Sequence, residues 1–191
     1  IEIVKNRLPS RFGFDPIRDV QVLCPMNRGG LGARALNVDL QAALNPPTDD
    51  IQVERFGFTY RVGDKVMQTD NDYDKDVFNG DLGYLSQIDL DAQTLAIKFD
   101  GRVVEYQFGE LDEVALAYAV SIHKSQGSEY PAVVIPMMKQ HYMMLRRNLL
   151  YTGITRGKRM VVLVGQRQAI GMAVKGKVEE RRWSKLKEWL A

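Results

Sequence analysis

The sequence predicts an α/β protein in which one parallel-sheet domain is interrupted by a small antiparallel β-barrel. Three observations predict it. An apolar strand at Val20-Gln-Val-Leu-Cys24 leads through Pro25 and Gly29-Gly30 into a helix-spaced stretch, the strand–loop–helix order that builds parallel sheets. Beyond Asp49 the texture changes to five short β-rich runs separated by tight turns, the pattern of a small barrel. After Leu111-Asp-Glu113 the α/β texture returns, with strand-like Val133-Val-Ile135 and Met160–Val164 on either side of a helical stretch around Met143–Tyr151.

Each element has its own signal. Residues 20–24 are β-branched or apolar and alternate poorly, as a strand buried on both faces does. Leu31, Ala35, Val38 and Ala42 follow helical spacing, and Asn45-Pro-Pro47 ends that helix. The β-rich runs are Phe56–Val62, Asp64–Gln68, Gly83–Ile88, Thr94–Phe99 and Val103–Phe108, and Asp100-Gly101 between the last two signals a two-residue hairpin. Their aromatics (Phe58, Tyr60, Tyr84, Phe99, Tyr106, Phe108) could stack on nucleic-acid bases, but their alternation favours packing into the barrel core. A final segment, Val178 to Leu190, is amphipathic and predicted helical.

Composition narrows the function. The 191 residues hold 26 basic against 24 acidic side chains, and a net charge of +2 leaves no general nucleic-acid footprint. Any contact with nucleic acid must therefore be local. The single cysteine, Cys24, cannot form an internal disulfide and sits in an apolar run, which fits a reducing, cytoplasmic setting. Neither a membrane-length apolar run nor a signal peptide is present. The chain begins at Ile1 rather than at methionine and is read as a fragment.

Two segments carry the chemistry. In Ser121-Ile-His-Lys-Ser-Gln-Gly-Ser-Glu129, hydroxyls and His123 can donate to phosphate oxygens, Lys124 adds charge, and Gly127 permits a close backbone approach. As bare composition the stretch reads first as a solvated turn with one surface histidine. In Tyr151-Thr-Gly-Ile-Thr-Arg-Gly-Lys158, Arg156 either belongs to an exposed basic turn or acts as an arginine finger, bridging phosphate oxygens as charge builds during phosphoryl transfer. A third segment, Gln21 to Gly32, carries Asn27 and Arg28 in a strand-to-helix turn.

The order of residues in these segments resembles the fifth, sixth and fourth motifs of superfamily 1 helicases, most closely the RecD-like branch. Arg11–Arg18 and Asn79-Gly-Asp-Leu-Gly83 extend the likeness over nearly the whole chain. The resemblance implies a second RecA-like motor domain at residues 1–55 and 112–191, with an SH3-like barrel inserted at 56–111. It implies an ATP-dependent DNA helicase moving 5′→3′ on single-stranded DNA. Ser121, His123 and Lys124, with Asn27 and Arg28, would lie toward the DNA; Gly127, Glu129 and Arg156 would lie toward the nucleotide. RecD works within a nuclease complex, so an exodeoxyribonuclease V alpha subunit is one implied setting, with partner subunits.

The departures matter as much. Gly171–Lys177 imitates the start of a phosphate-binding loop, but Val178 stands where a metal-binding Ser or Thr belongs. Asp70–Asp76 imitates an EF-hand start without its Gly and Glu, and His123, His141 and Cys24 lack zinc spacing. The phosphate cradle and the ligands of Mg²⁺ are therefore expected in a missing N-terminal RecA-like domain, and this chain alone is expected to turn over no ATP. The competing reading is a non-catalytic DNA- or protein-docking module of a nuclease or helicase complex.

Overall fold

The computed structural model describes residues 1–47, 51–176 and 189. A π-turned segment, Ile3–Arg7, runs into α1 (Leu8–Phe12) and buries Val4 and Leu8; this entry helix was not expected from the sequence. β1 (Val20–Cys24) is buried at every position, as its unbroken apolar run predicts. α2 (Ala33–Leu44) starts two residues later than the apolar periodicity and ends at Asn45, ahead of the two prolines. β2 (Val53–Arg55) lies just before the first β-rich run, which begins in a turn at Phe56-Gly57 and holds β3 (Phe58–Tyr60), its partner in a separate hairpin.

The antiparallel part continues with β4 (Lys65–Gln68), β5 (Leu82–Asp89), β6 (Thr94–Phe99) and β7 (Arg102–Gln107). Phe99 pairs with Arg102, so Asp100-Gly101 is the two-residue hairpin loop its sequence signals. Between β4 and β5, Lys75 ties the acidic stretch into the fold through Asp72 at 3.2 Å and Glu110 at 2.8 Å. Two three-residue strands follow, β8 (Val114–Leu116) and β9 (Ala119–Ser121). β10 (Tyr130–Met137) comes next, then a 3₁₀ turn at Lys139–Met144, α3 (Arg147–Ile154), β11 (Gly157–Gly165) and α4 (Arg167–Lys175). Gly171 lies inside α4, so the imitation of a phosphate loop is helix up to Lys175. The helix predicted from Val178 to Leu190 falls, Trp189 excepted, outside the described residues.

The strands form a parallel sheet, β11-β10-β1-β9, and an antiparallel sheet, β7-β6-β5-β4-β8, whose edges are β7 and β8. Alternate residues of the parallel sheet face opposite layers. Val22, Cys24, Ala132 and Val134 share a core with Leu40 of α2 and with the antiparallel sheet, whereas Leu23, Val133 and Ile135 pack with Leu149 and Leu150 of α3 and Ala169 of α4. Full burial of such aliphatic side chains contributes about 1.5–3 kcal/mol each. Tyr60, Phe99, Tyr106 and Phe108 are buried in the antiparallel core, while Phe58 and Tyr84 are half-buried. Burial also pushes the Cys24 thiol up to about 12.

Side-chain hydrogen bonds knit the two sheets. Gln21 Nε2 donates to the carbonyls of Ala117 (3.0 Å) and Tyr118 (3.2 Å), tying β1 to the chain that leaves β8. Asn37 of α2 forms a two-way amide pair with Ala119: its Nδ2 donates to the Ala119 carbonyl and its Oδ1 accepts the Ala119 N–H, both at 2.8 Å. Asn37 thus satisfies the outer edge of β9, the sheet's terminal strand.

Candidate functional site

Both β1 and β9 release their chains at the carboxyl end of the parallel sheet, where Cys24 pairs with Ser121. The loop after β1 carries Asn27 and Arg28, both exposed, and the loop after β9 carries His123 and Lys124. Asn27, Ser121 and Lys124 line one cleft of about 350 Å³ between the two sheets, with Ala33, Arg34 and Asn37 of α2 forming one wall. Phe56, Phe58, Thr69 and Asp112 form part of the facing wall. Arg28 is next to Asn27 but outside that lining. His123 parts from its neighbours and lines a second hollow of about 250 Å³ with Gln126, Arg146, Asn148 and Thr152.

The segment from Ile122 to Glu129 is a chain of turns crossing from the carboxyl end of β9 to the amino end of β10. Ser125 is fully buried and braces it, its Oγ donating to the Ile122 carbonyl at 2.7 Å. The Lys124 N–H donates to Ser121 Oγ at 3.3 Å. Gly127 has φ +87°, a left-handed conformation that a side chain would strain, which accounts for glycine there. Ser121 and Glu129 therefore sit at opposite ends of the sheet although only eight positions separate them.

The amino end holds the second cluster. Arg156 follows α3 in the turn into β11, and its guanidinium is fixed by three carbonyl or hydroxyl oxygens. Nε donates to the Thr152 carbonyl (3.2 Å), Nη1 to the Ser128 carbonyl (3.1 Å) and Nη2 to Thr155 Oγ1 (3.1 Å). A guanidinium has five N–H donors, so this set leaves others for an incoming oxyanion. The Arg156 carbonyl accepts the Tyr130 N–H at 2.8 Å, which joins the Arg156 backbone to the start of β10. Glu129 pairs with Lys158 at 3.2 Å, and both side chains are more than half exposed. Such a pair contributes little to stability and leaves both groups open to other partners.

Residues 36–99 match the family described as ATP-dependent RecD-like DNA helicase SH3 domain, and residues 116–164 match the UvrD-like helicase C-terminal domain. The ATP-dependent RecD2 DNA helicase of Deinococcus radiodurans is 39% identical over 162 residues, covering 85% of this chain and 22% of that protein. This chain belongs with the RecD-like helicases. The RecD subunit of the RecBCD enzyme of Mycolicibacterium smegmatis is 30% identical over 154 residues, covering 81% of this chain and 26% of that protein. The chain thus spans about a quarter of the length of these curated relatives. A crystal structure of the Pif1 helicase from Bacteroides, in complex with ADP-AlF3 and ssDNA, aligns with a TM-score of 0.57 at 19% identity, covering 84% of this chain and 43% of that one. At that identity the likeness is one of fold.

Within this RecD-like chain, the structure brings Asn27, Ser121 and Lys124 together, gathers Glu129 and Arg156 at the other end, and leaves Arg28 and His123 beside rather than inside the cleft. Sequence reasoning missed Arg34, Asn37, Ser128 and Lys158. Arg34 and Asn37 had a usable signal, polar residues three apart on the first turns of an otherwise core-facing helix. Ser128 contributes a backbone carbonyl, for which residue identity carries no signal.

Proposed function

We propose that residues 1–55 and 112–191 form the second RecA-like motor domain of an ATP-dependent 5′→3′ DNA helicase, with residues 56–111 as an inserted SH3-like module. The observation that carries this reading is the separation of two clusters at opposite ends of one parallel sheet, joined by the 122–129 turns. Asn27, Arg28, Ser121, His123 and Lys124 meet the phosphates of single-stranded DNA at the carboxyl end. Gly127, Glu129 and Arg156 face the nucleotide at the amino end, where Arg156 acts as the arginine finger. ATP with Mg²⁺ supplies the phosphoryl chemistry from a cradle on the other motor domain of the same polypeptide. Arg156 offsets the charge that develops on the γ-phosphate, and its bond to the Ser128 carbonyl passes that engagement to the turns that hold Lys124.

ATP turnover in the full-length protein tests this. Arg156→Ala should lower single-strand-stimulated hydrolysis by about 10³-fold or more while leaving DNA affinity within a factor of two. The 191-residue chain alone should turn over no ATP. Hydrolysis by the chain alone that vanishes with Arg156→Ala would overturn the division of labour. Relatives that are subunits of the RecBCD enzyme support a second setting, docking onto nuclease-complex partners, which co-purification of the full-length protein would reveal.

A further inference from the structure

The β2–β3 hairpin turns at Phe56-Gly57, and both residues are left-handed, with φ +51° and +79°. A two-residue turn of that kind favours Asn-Gly, because asparagine tolerates the conformation that a bulky side chain avoids. Here the first position holds phenylalanine. Burial does not explain it, since Phe56 is 52% exposed. The tip also packs against α2. A Cβ on Gly57 would fall 2.7 Å from Arg34 Nη2, so only glycine lets the Arg34 side chain lie against the turn, and that guanidinium covers the Phe58 ring at 5.6 Å. Phe56 therefore stands as a strained, exposed ring on a tip packed against Arg34, at the edge of the cleft that contains Asn27, Arg34, Ser121 and Lys124. Asp112 is the carboxylate of that lining.

We propose that Phe56 is a base-stacking finger of this cleft, resting on one unpaired base of a nucleic-acid strand whose phosphates are held by Arg34 and Lys124. The proposal rests on the single-strand reading given above and adds to it a residue and a mode of contact. An aromatic ring stacks on any base and is indifferent to sequence, but it needs an open base face, which a duplex withholds. The ligand is therefore single-stranded.

The test uses the full-length protein, an oligothymidine carrying 5-iodouracil, and anisotropy titrations across a salt series. Photocrosslinking of the unaltered chain should label Phe56. Phe56→Asn, which suits the left-handed turn, should weaken oligothymidine binding about tenfold without changing the slope of log affinity against log salt. Phe56→Trp should restore affinity, whereas Lys124→Gln should lower the slope by about one phosphate contact. Equal affinities for Phe56→Asn and the unaltered chain, with crosslinks elsewhere, would overturn the finger and leave the motor reading standing. Absence of any salt-sensitive binding by the unaltered full-length protein would overturn both.

Discussion

Two cations of this chain, Arg156 and Lys65, have opposite surroundings and support opposite predictions. Arg156 spreads its charge over a planar fork that meets three oxygens on Thr152, Ser128 and Thr155. A lysine there would keep the charge and lose the fork. Under the motor reading, Arg156→Lys should therefore still bind ATP in the full-length protein yet lose about 10³-fold in turnover, read by single-turnover kinetics. Lys65 of β4 is buried against the parallel sheet, with Nζ 3.3 Å from the Val20 carbonyl and 5.9 Å from the Tyr130 ring. Burial pulls its pKa from 10.5 down to about 7, with Asp15 and Asp19 pulling the other way. Between those two values the unfolded chain binds the extra proton, so stability rises with pH across that window and the penalty is full below about pH 7. Lys65→Met should remove the penalty. Urea unfolding at pH 7 and pH 10 should show a wild-type gain on the order of a few kcal/mol that the variant lacks. Parallel behaviour of the two proteins would refute the assignment.

At the scale of elements, one carboxylate joins three of them. Asp64, fully buried in the turn before β4, accepts from Gln41 Nε2 (2.6 Å) of α2 and Asn45 Nδ2 (2.7 Å) at its end, from the Tyr118 hydroxyl (2.8 Å) ahead of β9, and from the Arg61 N–H (2.7 Å). Burial raises its pKa, and these four donors oppose that rise. Asp64→Ala would strand all four donors and should cost about 3 kcal/mol or more in chemical unfolding. In the sequence, Asp64 is legible only as half of a Gly-Asp turn. The same contrast holds across the fold. β1 and β10 announce themselves because a strand covered on both faces needs a continuous apolar run, and the half-buried edge strand β11 shows through its apolar Met160–Val164 stretch, whereas β8 and β9, three residues each, are too short for any period to register. Phe56 falls in a run that reads as strand, yet it occupies a turn, because left-handed φ at both Phe56 and Gly57 folds β2 back onto β3. Of the site, the Ser121–Glu129 and Tyr151–Lys158 strings are legible since their order along the chain is itself the signal. The cleft wall is not, because Arg34 and Asn37 reach it only through the packing of α2.

For the whole molecule, the arrangement that matters is the distance between its two clusters. β10 spans eight residues, which at about 3.3 Å per residue sets the ends of the sheet about 23 Å apart. No single side chain covers that gap, so a motor that grips DNA at one end and senses phosphate at the other needs a covalent connection with internal bracing. In the motor reading proposed above, the 122–129 turns serve as that connection, and the buried Ser125 hydroxyl on the Ile122 carbonyl serves as its brace. Removing it should leave both ends chemically intact while loosening what joins them. Under the motor reading, Ser125→Ala in the full-length protein should keep single-strand affinity and basal ATP turnover within about twofold, and lower the stimulation of turnover by single-stranded DNA several-fold. Lys124→Gln differs, since it weakens DNA binding directly and its stimulation returns at saturating DNA. Stimulation that survives Ser125→Ala unchanged would sink the coupling role of the turns. Proportionate loss of DNA affinity and basal turnover would sink it as well, because the brace would then serve the shape of both ends rather than the link between them.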